Sequence, residues 1–239
     1  MPQPLSRVRP GASVAASPEA IELRPTLSPF IAEIIARWAY IEANIGTILS
    51  YILRTEAAPV TAMLHAINSA SAQIDMIRAA GSAKLYDPAL EAFEAVMKIA
   101  GTAAKKRHPI AHHVWAYSVE LPDALLLIEP EAYTDMFVQL QEMRKQPRTG
   151  WIILEADKTR TMVYRENDFR QIIEEFKSVS KCTTFLINYL EPNHAARDQM
   201  YRWLCSEPLI DAALISLRTH RQPRLGPQPP NPQTENGST

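Results

Sequence analysis

The sequence predicts a mainly α fold: a helical bundle that carries a small β insertion and ends in additional helices. Two observations predict it. Over long stretches, apolar residues recur at steps of three and four, which is the period of an amphipathic helix. One central region instead holds short runs of β-branched and aromatic residues, which favour strands. Hydrophobic residues make up 46% of the 239-residue chain, enough for a sizeable core.

The helices of the first half are marked by their start signals. Ser28 is a candidate N-cap, and Pro29 fits the first turn of a helix, where its missing N–H would have no partner in any case. Asp87-Pro88 repeats this arrangement. We therefore predict helices from Pro29 to Leu53, from Pro59 to about Gly81, and from Asp87-Pro88 into the basic residues that begin at Lys105.

The pattern changes after residue 113. A β insertion near 114–164 is predicted from its short apolar, β-branched and aromatic runs. Its strands are expected at 114–119, 124–128, 151–154 and 161–164, the last two as a hairpin, with a short helix at 131–144. Asn167-Asp168 provides a cap for a long helix that reaches Leu190. Two extra C-terminal helices are predicted near 193–205 and 208–219.

Proline punctuates both ends of the chain. Of 19 prolines, six lie within residues 1–29 and five within 223–232. Proline lacks an amide hydrogen and fixes φ, so this density opposes both helices and sheet ladders. We predict a flexible N-terminal tail at 1–26, one helical domain at 27–220 and a disordered C-terminal tail at 221–239.

Charge and cysteine content narrow the class of protein. The net charge is −1 and the pI is about 6.6, so any attraction for phosphates must come from a local patch. Cys182 and Cys205 are too few for a disulfide framework and are expected to be reduced. No signal peptide and no apolar run of about 18 residues is evident. The sequence therefore predicts a cytoplasmic protein without membrane contact.

One segment concentrates side chains that could take part in catalysis or binding, Lys105-Lys106-Arg107-His108-Pro109-Ile110-Ala111-His112-His113. In a straight helix, side chains five apart, such as Arg107 and His112, would diverge by about 140°. Pro109 disfavours a helical conformation at the residue before it and suits a new helix start. We therefore predict a helix junction at Pro109 that brings the two side chains together. The basic run also suits the negative end of a helix dipole, without any other role.

Glu42 is a second unusual position. It lies seven residues after Ile35 and seven before Leu49, on or beside the apolar stripe of the first helix. A buried carboxylate requires a partner. Glu42 is therefore either a border residue that reaches water or a residue that orients a buried cation.

The stretch Arg107-His108-Pro109-Ile110-Ala111-His112 resembles the motif of the HEPN superfamily, in which an arginine and a polar residue precede a histidine after four to six intervening positions. The surroundings are similar too: a first helix with Trp38-Ala39-Tyr40-Ile41-Glu42, two further helices, and the motif opening a fourth in an up-and-down bundle. The resemblance covers about residues 28–190. It does not account for the C-terminal helices.

The resemblance implies metal-independent RNA cleavage by a homodimer, without a cofactor. Arg107 would contact the scissile phosphate, His112 would act as general base or acid, and His108 would orient or assist. The residue types fit this chemistry. Histidine titrates near neutrality and can accept the proton of a ribose 2′-hydroxyl. Arginine presents a planar fork that matches phosphate oxygens.

Supporting roles follow from the same resemblance. Glu42 would hold Arg107, His113 would assist, and Lys105 and Lys106 would contact RNA. Active members of this kind suggest an effector of a toxin–antitoxin or phage-defence system. RNA is then the expected substrate, and a protein antitoxin or regulator an expected partner.

Three other interpretations remain open. The domain can be a catalytically inactive dimerisation or RNA-binding module. His108, His112 and His113 can be metal ligands, since His-x3-His is a zinc spacing, although no motif supplies a further ligand. Finally, Arg107 and the histidines can form a solvated helix end with no role. We predict no bound metal at this segment.

Overall fold

The computed structural model describes residues 1–145 and 156–220. The strand predicted at 151–154 and the tail predicted at 221–239 lie outside the described residues. The described chain is mainly helical with a small antiparallel sheet, which confirms the predicted class. Its helices are α1 (Leu5–Val8), α2 (Ser28–Leu53), α3 (Ala57–His65), α4 (Ala70–Lys84), α5 (Ala89–His112), α6 (Pro130–Arg144), α7 (Glu166–Leu190), α8 (Arg197–Ser206) and α9 (Pro208–His220).

The long helices α2 and α7 pack against each other and form the centre of the bundle. Their apolar stripes meet at Trp38 and Phe176, whose ring centroids are 6.0 Å apart. One buried polar pair crosses the interface, where Asn44 Nδ2 donates to Thr183 Oγ1 at 2.8 Å. The apolar spacing of both helices thus produces the main core, as predicted. None of the described helices is long and apolar enough to cross a membrane.

α5 packs against α7 on one side and against the C-terminal helix α9 on another. Leu204 of α8 and Ile210 of α9 belong to the same hydrophobic core as α5. The extra C-terminal helices are therefore part of the bundle, and their position helps to fix α5, the helix that carries the motif.

The helix predicted from Pro59 to about Gly81 is two helices, α3 and α4. Ser69 caps the start of α4 by accepting a hydrogen bond from the Ala72 N–H at 3.3 Å. Gln73 Nε2 donates to the carbonyls of Leu64 and Ile67, each at 2.8 Å, which satisfies groups at the end of α3. These local hydrogen bonds stabilise the interruption between α3 and α4, which the apolar spacing did not predict.

Five strands form one antiparallel sheet in the order β1-β5-β4-β3-β2. The strands are β1 (Gln3–Pro4), β2 (Ala15–Ala16), β3 (Val114–Tyr117), β4 (Ala124–Ile128) and β5 (Thr161–Arg165). The central strand β4 is buried on both faces: Leu125 and Leu127 face the helical core, and Leu126 and Ile128 face a second, smaller core. This alternation follows from the two-residue period of a strand.

The predicted flexible tail at 1–26 is wrong, because this segment supplies both edge strands of the sheet. Gln3 pairs with Val163, and Ala15 pairs with Tyr117. Leu5 is completely buried in the smaller core. Proline is tolerated on edge strands, where one side of the backbone has no ladder partner. The proline density therefore coexists with sheet pairing that depends on residues far away in the chain.

Arg24 fastens this N-terminal segment to the sheet. Its side chain is only 9% exposed. The Nε atom donates to the Ala124 carbonyl at 3.0 Å, and Nη2 donates to the carbonyls of Ser118 and Leu121 at 2.8 and 3.2 Å. A buried cation is tolerated when its donors are hydrogen-bonded in this way.

Candidate active site

The motif lies at the C-terminal end of α5, and the helix continues through Pro109 to His112. The predicted helix junction at Pro109 is therefore wrong. Proline usually disrupts a helix interior because it lacks a donor and crowds the preceding turn. Here Ile110 is buried in the core, so packing holds the final turn in helical form. The helix closes where the His113 N–H donates to the Pro109 carbonyl at 3.0 Å.

Arg107 and His112 meet even without the junction. Arg107 Nη1 lies 2.9 Å from His112 Nε2. The long arginine side chain spans the angular gap between their backbone positions. Because a guanidinium only donates hydrogen bonds, His112 Nε2 must be the acceptor. In this arrangement the His112 ring is neutral and carries its proton on Nδ1.

Two further imidazoles complete a cluster. The rings of His108 and His112 have centroids 4.8 Å apart, and the His113 ring stands edge-on to His108 at 6.0 Å. Burial lowers the pKa of His113 from 6.5; Glu129 opposes this shift, and His108 and His112 reinforce it. Its Nδ1 atom is buried without a hydrogen-bond partner among the described residues. His113 is therefore neutral at pH 7 and has unused hydrogen-bonding capacity.

Arg107 also has unused hydrogen-bonding capacity. Its Nε atom is buried and has no hydrogen-bond partner within the described parts of the chain. A buried donor without a partner is unfavourable, and an anion would satisfy it. The guanidinium therefore has an unpaired donor in addition to the one it directs at His112.

Arg107, His112 and His113 line a cavity of about 790 Å³, and His108 is not among its lining residues. The rest of the wall comes from α2, the start of β3, α6 and the N-terminal segment, through Ile31, Ile35, Val114, Trp115, Tyr133 and residues 16–18. Trp115 Nε1 donates to the Ile110 carbonyl at 3.1 Å, which ties β3 to the end of α5. The sheet thus fixes one wall of the cavity relative to the motif.

The remaining predicted site residues lie elsewhere. Glu42 is exposed and lines a second cavity of about 950 Å³ together with Lys105, so the predicted role of Glu42 in holding Arg107 is wrong. Lys106 forms an ion pair with Glu175 of α7. Successive helical residues turn by about 100°, so the side chains of Lys105 and Arg107 point about 160° apart around the helix axis. Neither lysine lines the cavity of Arg107.

Sequence reasoning missed Tyr133, Trp115 and the N-terminal wall of the cavity. Tyr133 and Phe137 stand four apart after Glu129-Pro130, so an aromatic pair on one helix face was available as a signal. The strand pairing that carries Trp115 and residues 16–18 to the motif had no local signal. Among the described residues, no group of three or more His, Cys, Asp or Glu side chains is arranged to hold a metal ion.

In comparisons with known proteins, no family model, no curated protein and no solved structure matches this chain.

Proposed function

We propose that the protein is a metal-independent, HEPN-like endoribonuclease of a toxin or defence system. The observation that carries this proposal is the 2.9 Å contact between Arg107 and His112 at an open cavity. A phosphate ligand and a proton acceptor held this close are the two groups that attack by a ribose 2′-hydroxyl requires. The family named in this proposal rests on the motif resemblance. The pairing of Arg107 with His112 rests on their contact.

The proposed reaction is an internal transfer at phosphorus. Arg107 turns its fork to the non-bridging phosphate oxygens and frees the lone pair of His112 Nε2. His112 accepts the 2′-hydroxyl proton as the 2′ oxygen forms its bond to phosphorus. The bond from phosphorus to the 5′ oxygen breaks, and that oxygen takes up a proton. The products are a 2′,3′-cyclic phosphate and a 5′-hydroxyl.

His108 and His113 have different places in this scheme. His108 is exposed beside His112 and can deliver the proton to the departing 5′ oxygen. His113 is half-buried and neutral, so it suits a hydrogen bond to the ribose rather than charge stabilisation. The cytoplasm, where RNA is available, is the proposed location.

A test compares Arg107→Ala and His112→Ala with His65→Ala, which removes an exposed histidine of α3. Removing a general base typically reduces the rate ~10²–10⁴-fold, and removing an electrostatic donor ~10²–10³-fold. We expect losses of that size for the two motif variants and none for His65→Ala. Cleavage that survives both motif substitutions would place the active site elsewhere. Circular dichroism of each variant verifies the fold.

A second candidate is a catalytically inactive HEPN-like protein that dimerises or binds RNA. One observation favours it: Arg107 already occupies the His112 lone pair that catalysis needs. If the wild type binds RNA without cutting it, and Arg107→Ala weakens that binding, this second function is correct.

A further inference from the structure

An aromatic pair stands beside the candidate active site and has no role in the reaction described above. Tyr133 and Phe137 lie four residues apart on α6, with ring centroids 5.0 Å apart and planes at 87°. Tyr133 lines the same cavity as Arg107 and His112. Phe137 is 48% exposed although it is large and apolar. The pair therefore presents aromatic surface to solvent next to the proposed phosphate ligand.

We propose that Tyr133 and Phe137 bind an unpaired RNA base next to the scissile phosphate, a step that rests on the proposed ribonuclease function. Every base has an apolar π-face, and stacking on exposed aromatic side chains is the usual way in which proteins hold single-stranded RNA. The edge-to-face arrangement leaves one ring face of the pair for the base while the other ring supports it.

The negative charge at the start of α6 favours binding of the base, rather than the phosphate, beside this helix. Glu129, Glu131 and Asp135 all contact Arg160, at 2.8, 2.9 and 3.4 Å. Among the described residues, these three carboxylates share the single cation Arg160, so this end of α6 keeps negative charge and is unfavourable for a phosphate. Among the described residues that line the cavity, the cationic side chain is Arg107, on α5. A nucleotide would thus place its phosphate at α5 and its neutral base at α6.

This placement defines a substrate class. In an RNA duplex the bases are stacked and paired, and their faces are not available to a protein side chain. The substrate is therefore single-stranded RNA or an unpaired loop, with little preference among bases, because stacking is tolerant of sequence.

Binding is measured by fluorescence anisotropy of a labelled single-stranded oligoribonucleotide that carries 2′-O-methyl groups. This probe keeps phosphates and bases but lacks the attacking hydroxyl, so it is bound and not cut. Phe137→Ala and Tyr133→Leu each remove part of the stacking surface, whereas Phe137→Trp retains an aromatic ring at that position. The matched control is Tyr40→Ala, which removes another helical, exposed aromatic residue outside the cavity.

We expect Phe137→Ala and Tyr133→Leu each to weaken binding by roughly 5- to 100-fold, the range measured for a lost base–aromatic stack. Phe137→Trp and Tyr40→Ala should bind like the wild type, and a duplex of the same sequence should bind more weakly than the single strand. Since Phe137 is half-exposed, its truncation should leave the fold intact, which circular dichroism verifies.

Several outcomes would overturn the stacking site. They are unchanged affinity in both aromatic variants, equal binding of duplex and single strand, or no binding of the probe at all. A change in oligomeric state on Phe137→Ala, with RNA affinity unchanged, would instead assign the pair to a protein interface.

Cleavage of an unmodified RNA separates this inference from the proposed function. Cutting that requires Arg107 but is indifferent to Tyr133 and Phe137 would remove the stacking site alone. Stacking-dependent binding without any cutting by the wild type would remove the nuclease and keep the base-binding site.

Discussion

Arg24 makes a testable contribution to stability. Its guanidinium bonds three carbonyls between β3 and the start of β4, and truncation would leave these buried acceptors without partners. An unsatisfied buried acceptor costs about 1–3 kcal/mol. We expect Arg24→Ala to lower the free energy of unfolding in urea by roughly 2–4 kcal/mol. Arg37→Ala, which removes a half-buried partner of Glu33, should change it by under about 0.5 kcal/mol. Equal effects of the two substitutions would contradict the role given to Arg24.

His113 predicts how stability depends on pH. Burial lowers its pKa below 6.5, so the unfolded chain binds the proton more readily than the folded protein. Stability is then complete above the unfolded pKa and decreases as pH falls through it. We expect the unfolding free energy to fall between pH 7 and pH 5, and His113→Gln to reduce that fall. Identical pH profiles for the two proteins would show that His113 does not contribute.

At the level of single residues, the grouping of the candidate site residues could be predicted from the sequence better than their surroundings. Arg107, His108, His112 and His113 lie together because one helix end carries them all. Glu42 does not lie beside Arg107, since its direction depends on the rotation of α2, which residue types alone do not determine. Contact of Lys105 and Lys106 with RNA stays a prediction. Residue types also could not predict the packing of Ile110, which keeps Pro109 within the helix.

At the level of elements, a deletion tests how much the N-terminal segment contributes to stability. Deleting residues 1–16 removes both edge strands and the burial of Leu5. Burying a leucine side chain contributes about 1.5–3 kcal/mol. We expect the deletion, and to a smaller extent Leu5→Ala, to lower the melting temperature by several degrees, while exposed Arg7→Ala leaves it unchanged. A deletion variant that melts like the full chain would restore the idea of a flexible tail.

Elements with a local signal were predicted closely. The strand at 124–128 and the helix at 131–144 agree with β4 and α6 within one residue, because each is a compact run with a clear boundary. β1 and β2 were missed because two-residue edge strands are stabilised by distant partners, and proline density pointed the other way. The apolar stripes of α2 and α7 could be predicted from periodicity, but periodicity does not indicate that these two helices pair with each other.

Self-association is the prediction for the whole molecule. Within the described parts of the chain, Arg107 is the one arginine that lines the cavity, and a homodimer with its 105–113 segments facing would double the set. Light scattering at micromolar concentration should then give twice 26.8 kDa. A cysteine placed at Ala111 on the cavity wall should cross-link between subunits with a short bismaleimide. A cysteine at His65 should not. A monomeric mass without RNA, or equal cross-linking from both positions, would contradict this arrangement.

We propose above all that Arg107 and His112 together cleave RNA by 2′-hydroxyl attack without a metal ion. The most direct measurement identifies the ends left on a single-stranded RNA after incubation in EDTA. We expect 2′,3′-cyclic phosphate and 5′-hydroxyl ends from the wild type, no such products from Arg107→Ala or His112→Ala, and no cleavage of the matching DNA. RNA that stays intact with the wild type, or cleavage that appears only when a divalent cation is added, would contradict it.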